Sequence, residues 1–177
     1  VACGVVLSER ADVLVTNAHP RDFDLWQSFK CIANTRWAAR PNGAIICLAR
    51  CPGGLHGMKI PAWPLPPGAT RKIVRWVGPA ALGSMVTRLV PRLAGDAAFF
   101  VHMATQAIAR NPIYIVSPNL HDAGVKFPGV PVFACVDDAF AVARQHLGGG
   151  QHRVVVFPSG GITFPVPTPA PMPGLTE

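Results

Sequence analysis

Asn17-Ala-His-Pro-Arg-Asp-Phe-Asp-Leu-Trp-Gln-Ser-Phe-Lys30 decides how this chain is read, because it joins the end of a buried strand to the start of an amphipathic helix. Just upstream, Ala11-Asp-Val-Leu-Val-Thr-Asn17 is a short β-branched run between polar residues, which predicts a strand. Downstream, Leu25, Trp26, Phe29, Ile32, Ala33 and Trp37 recur at three- and four-residue spacings and predict a helix over 23–39 with Asp22 as its N-cap. Gln27, Lys30 and Asn34 fall on the polar margin of that stripe. A helix that begins at the carboxyl end of a parallel strand aims free N–H groups and the positive end of its dipole into the crevice above the sheet, where a carboxylate or phosphate is favoured. Gln27 adds an amide donor there, Ser28 a hydroxyl and Lys30 a full positive charge. The spacing by itself also suits a solvated helix edge.

Working outward, Ala44-Ile-Ile-Cys-Leu-Ala49 is apolar without alternation, as in a strand covered on both faces of a parallel sheet. It runs into Cys51-Pro-Gly-Gly-Leu-His-Gly57, whose glycines allow close backbone approach to a ligand, so Gly53, Gly54 and His56 are second-rank contact candidates. Residues 59–79 carry Pro61, Trp63, Pro64, Pro66, Pro67 and Trp76 and are expected to form an ordered loop or lid. Trp63 and Trp76 there either anchor packing or meet a further domain. Helical spacing follows over 80–93, cut short by Pro91. It resumes over 97–110 behind an Asp96 cap, with Phe99, Phe100, Met103, Ala107 and Ile108 as its stripe. His102 on that helix has no partner at four-residue spacing and reads as structural. Ile113–Val116 is the next strand, with His121 and Asp122 in a loop behind it. Val132–Val136 is a further strand, Asp137 or Asp138 caps a helix over 139–147, and Arg153–Phe157 closes the sheet before the turn at Pro158-Ser-Gly-Gly161. This order predicts an α/β fold, a mostly parallel sheet with helices on both faces, as a single domain over 1–164 with a Pro-rich tail over 165–177 that is extended or disordered.

The composition of 177 residues, 50% hydrophobic and 14% charged, suits a well-buried body of this kind. The net charge of +7 is spread over scattered Arg and Lys without interleaved aromatics, so no nucleic-acid partner is expected. No apolar run approaches the length of a membrane span, and no membrane partner is expected. Five cysteines at irregular spacing, without zinc-binding pairs, predict buried structural thiols in a reducing, cytoplasmic setting and no metal site in this chain. The absence of a G-x-G-x-x-G after the first strand argues against a nicotinamide-dependent Rossmann enzyme.

The Pro20-x-Asp22 step, the aromatic-Gln-x-x-Lys pattern of Trp26, Gln27 and Lys30, and Arg40-Pro-Asn-Gly-Ala-Ile-Ile-Cys-Leu-Ala49 together resemble the carboxyl-terminal domain of the lactate racemase (LarA) family, racemases and epimerases that depend on a nickel-pincer nucleotide. Gly4-Val-Val-Leu7 resembles the family's short edge before its main strand, and Val154-Val-Val-Phe-Pro-Ser-Gly160 its final strand and Pro-x-Gly turn. The resemblance implies a fragment of a longer isomerase that interconverts the two hands of a 2-hydroxy acid. The C2 hydrogen would leave as hydride to the cofactor while a histidine takes the hydroxyl proton. It assigns Trp26, Gln27, Ser28 and Lys30 to a small carboxylate substrate, with Lys30 catalytic in stabilising the developing oxyanion. Nickel ligands, the cofactor-bound lysine and the acid/base histidines belong in that family to an amino-terminal domain. The nickel-pincer nucleotide is therefore expected in the full-length protein and not tightly bound to this chain alone, which should not racemise by itself. His19 departs from the aromatic that precedes the family's proline, and the substrate-facing tryptophan near the 97–110 helix has no secure counterpart, Met103 standing in that region. The competing reading is a non-catalytic α/β metabolite-binding or interaction domain.

Overall fold

The computed structural model describes residues 3–55, 65–90 and 96–167. Strands β1 (Cys3–Leu7) and β2 (Ala11–Asn17) precede helix α1 (Leu25–Thr35), a 3-10 turn (Arg36–Ala38) and β3 (Ala39–Leu48). Helices α2 (Pro67–Val77), α3 (Pro79–Leu89) and α4 (Asp96–Arg110) follow. The chain then runs through β4 (Ile113–Val116), α5 (Pro118–Asp122), β5 (Val132–Phe133), α6 (Val136–Leu147), β6 (Val154–Phe157) and β7 (Thr163–Pro167).

Five strands form one sheet in the order β5-β4-β3-β2-β6, and every neighbouring pair is parallel. The unalternated apolar runs follow from burial on both sides. Leu14, Ile45, Cys47, Ile113 and Ile115 turn to the face covered by α1 and α4, while Val13, Val15, Ala44, Ile46, Tyr114 and Val116 turn to the face where α6 packs Ala139 and Ala143. From β2 the chain steps outward through β3, β4 and β5, then returns over α6 to set β6 on the other side of β2. The order of strands therefore reverses beside β2, the position at which parallel sheets open a crevice at their carboxyl ends. β1 and β7 pair parallel in a separate ribbon.

Several boundaries differ from the sequence expectation. Asp24, not Asp22, caps α1: its backbone is extended and its side chain accepts from the Gln27 N–H at 2.7 Å. Both aspartates suit a cap, and Asp22 is drawn off to Arg50. The helix ends at Thr35, and Trp37 leaves the apolar stripe to stand half exposed, with the guanidinium carbons of Arg36 and Arg110 each 4.9 Å from its ring centroid. Residues 67–77, expected as loop, are helical, and the helix expected over 80–93 spans 79–89. Pro67 and Pro79 sit at the first helical positions, where the missing N–H costs nothing, and Gly78 makes the break between them at φ 91°. Pro61, Trp63 and Pro64 lie outside the described residues. Phe99 is 74% exposed while Phe100, Met103, Ala107 and Ile108 are buried. His102 packs on Gly83, where an added Cβ would come within 2.6 Å of the imidazole, so α3 rests on α4 through a glycine. β5 is two residues long, Cys135 occupies the cap position of α6, and Asp137 and Asp138 lie inside its first turn, where they meet the positive end of the helix. His121 and Asp122 belong to α5. Thr163–Pro167 is an extended strand, so the first residues of the Pro-rich segment are paired with β1, on a ribbon edge that tolerates missing donors.

Candidate functional site

The carboxyl ends of β2, β3 and β4 are stitched loop to loop. The Cys51 N–H donates to the Asp22 carbonyl at 2.9 Å, the Gly53 N–H to the Phe23 carbonyl at 2.7 Å, and the Leu25 N–H to the Gly54 carbonyl at 3.0 Å. Arg50 Nε donates to Asp22 Oδ2 at 2.7 Å, and that guanidinium holds the Asp22 carboxyl below the ordinary carboxylate range. Ser117 Oγ and Asn119 Nδ2, from the loop after β4, donate to the Arg50 carbonyl at 3.2 and 2.8 Å. These bonds fix the start of α1 against the sheet.

On α1, Lys30 Nζ donates to Gln27 Oε1 at 2.7 Å, and both side chains are half-buried. Their spacing places them on one edge of the helix, and Asn34 continues that edge. Asn34 Nδ2 lies 3.3 Å from the carbonyl oxygens of both Gly160 and Gly161, donating toward the β6–β7 turn. Asn34 thereby seats the carboxyl-terminal part of this edge on the β6–β7 turn. Gly160 and Gly161 are needed for the close fit: a Cβ at Gly160 would meet Thr16 Oγ1, and one at Gly161 would stand 2.5 Å from the Ala18 carbonyl oxygen. Among the described residues no carboxylate lies within ion-pair distance of the Lys30 ammonium. With Gln27 Oε1 occupied by Lys30, the carboxamide nitrogen of Gln27 is left to donate outward.

The other candidates are placed differently. Ser28 is buried, its hydroxyl 3.4 Å from Cys51 Sγ beneath the helix. Trp26 is half-buried, its ring stacked on Phe100 with centroids 4.8 Å apart and planes inclined 16°. Gly53 lies under the Phe23 ring, which an added Cβ would meet at 2.5 Å, and Gly54 has a left-handed backbone at φ 61°. His56 lies outside the described residues. Sequence reasoning missed Arg50 and Asp22 as the clamp across the strand ends, since their pairing spans 28 residues with no local signal.

No family model matches the chain, and no curated protein matches it in sequence. Among solved structures it is similar to the lactate racemase apoprotein from Thermoanaerobacterium thermosaccharolyticum, with a TM-score of 0.68 at 16% identity, over 93% of this chain and 37% of that one. The likeness is one of fold. This chain spans about a third of the racemase's length.

Three of the five cysteines are buried, Cys31 on the inner face of α1 and Cys47 and Cys51 beyond it, with the Cys31 and Cys47 sulfurs 3.2 Å apart. Among the described residues no three His, Cys, Asp or Glu side chains gather into a donor set for a metal ion, and no helix is long and apolar enough to cross a membrane.

Proposed function

We propose that this chain is the substrate-binding, carboxyl-terminal domain of a larger LarA-like racemase or epimerase of 2-hydroxy acids. The observation that carries the reading is the 2.7 Å pairing of the Lys30 ammonium with the Gln27 carboxamide on one edge of α1. Each group holds the other in place, so less side-chain freedom is lost when an acid binds. Lys30 supplies charge to the carboxylate or hydroxyl oxygen, and Gln27 donates from its amide nitrogen. An ammonium fixed beside an oxygen that gains negative charge during the reaction favours the planar keto form more than the starting acid. Hydride transfer at C2 is the chemistry that a nickel-pincer nucleotide, held mainly by an amino-terminal domain, would supply. The described residues of this chain offer no donor set for nickel, and their share is to bind and orient the acid.

Titration calorimetry with lactate tests the corner. Lys30→Ala should weaken binding at least ~10-fold, the equivalent of one charge-assisted hydrogen bond. Equal affinity in the two proteins sinks the proposal. In a protein that carries both parts, the same substitution should lower kcat as well as raise KM, whereas an unchanged kcat would reduce Lys30 to a binding contact.

A second reading, a non-catalytic interaction domain, is favoured by the exposure of Trp76 at 88%, Phe99 at 74% and Leu89 at 72%. It requires sedimentation that depends on concentration and is relieved by Trp76→Ser, with no response to lactate.

A further inference from the structure

A cavity of about 350 Å³ opens at the carboxyl ends of β2, β3 and β4, lined among others by Asn17, His19, Asp22, Leu48, Arg50 and Val116. Neither Gln27 nor Lys30 lines it, so it is separate from the acid corner. Leu48 and Val116 give it an apolar wall that belongs to the α6 face of the sheet. The rest of the lining is rich in nitrogen donors. Arg50 is held at one end only: Nε is engaged by Asp22, its carbonyl is gripped from the loop after β4, and its side chain remains 77% exposed. Both η nitrogens are left to bind. Asn17 Oδ1 accepts from the His19 N–H at 3.0 Å, which fixes the carboxamide and leaves its nitrogen to donate. Asp22 is the one acidic residue in the lining, and Arg50 neutralises it.

We infer that this cavity binds a small monocarboxylate with a short aliphatic tail. The planar carboxylate matches the η edge of a guanidinium that is already positioned, with the Asn17 amide as a further donor. The tail covers Leu48 and Val116. The apolar wall selects the class of anion: phosphate brings no tail and would leave Leu48 and Val116 uncovered. The position also follows the general placement of ligands outside the carboxyl ends of parallel strands. The inference does not rest on the Lys30 corner.

Calorimetric titration of the whole chain with acetate, butyrate, hexanoate and inorganic phosphate tests it, using wild type, Arg50→Gln, Asn17→Asp and Lys30→Ala. Affinity should rise ~4-fold for each added methylene until the tail fills the cavity. Arg50→Gln should weaken butyrate at least ~10-fold. Asn17→Asp keeps the oxygen that His19 needs and sets a negative charge at the ligand, so it should weaken butyrate similarly even if Arg50→Gln fails to fold. Lys30→Ala should leave butyrate unchanged while weakening lactate at the corner at least ~10-fold. The inference is overturned if affinity does not depend on chain length, if phosphate binds as well as butyrate, or if Asn17→Asp binds like wild type. Loss of butyrate in Lys30→Ala would also overturn it, by moving the binding to the corner, and leaves the proposed function standing.

Discussion

At the scale of single residues, Asp22 and the cysteines respond to their surroundings in opposite ways. Arg50 lowers the Asp22 carboxyl, so the folded protein holds this aspartate ionised more strongly than the unfolded chain does. That contribution to stability is fully present above the ordinary carboxylate value of ~3.9 and is lost as pH falls through the lower folded value. Urea midpoints of wild type and Arg50→Gln should therefore differ at neutral pH and converge in strong acid. A gap that persists unchanged into strong acid would mean that Arg50 acts through packing and not through Asp22. The Cys47 thiol is pushed well up, first by its contact with Cys31 and then by burial, and the Cys51 thiol is pushed up chiefly by burial. Both effects suppress the thiolate that alkylating reagents need, and burial blocks access as well. Iodoacetamide should modify Cys3 and Cys135, which are exposed, and leave Cys31, Cys47 and Cys51 intact until denaturant is added. Intact mass reads this directly. A third adduct on the native protein would show that the layer beneath α1 opens readily.

At the scale of elements, what was legible in the sequence was whatever depends on neighbours within a few turns. β2, β3, β4 and the body of α1 appear as apolar runs or stripes, and the Gln27–Lys30 contact is an i, i+3 pair that the helix itself creates. α2 was obscured because proline was counted as a breaker where it starts a helix, at Pro67, whereas the spacing of α3 was legible from Ala80 onward. The seating of α1 on the β6–β7 turn was invisible, since Asn34 and Gly160 lie 126 positions apart. That joint holds an unpaired polar group. Thr16 Oγ1 is buried without a hydrogen-bond partner near the end of β2, on the side where a Cβ at Gly160 would stand. Thr16→Val keeps the β-branched shape and removes the unpaired hydroxyl, so it should stabilise the protein by about 1 kcal/mol. Gly160→Ala drives a methyl group into the same hydroxyl and toward the Asn17 carbonyl oxygen, 3.1 Å away, and should cost about 1–3 kcal/mol. Denaturant titration gives both values. Destabilisation by Thr16→Val would show that the hydroxyl is satisfied, most simply by water.

At the scale of the whole molecule, the two hydrophobic layers are built from the same three strands. Ile45 faces the layer under α1 and α4, and Ile46, its neighbour in the chain, faces the layer under α6. Neither layer can lose its wall without the backbone of β3 leaving the sheet, and β3 is held between β2 and β4. The two faces must therefore unfold together, although their helices are separated in sequence. Trp26, stacked on Phe100, reports the first face; Tyr114, buried against the second and 6.1 Å from the Phe133 ring, reports the other. Fluorescence of the tryptophans, near-ultraviolet signals of Tyr114 and far-ultraviolet circular dichroism should give one urea midpoint. Ile45→Val and Ile46→Val should each lower it, by about 0.5–1.5 kcal/mol, without splitting the transition. Separate midpoints for the two aromatic reporters would show that α6 and its layer detach on their own. In that case the strand ends that carry Arg50 and Asp22 would be held from one face only, and the cavity above them would lose its Leu48 and Val116 wall before the Lys30 corner was disturbed.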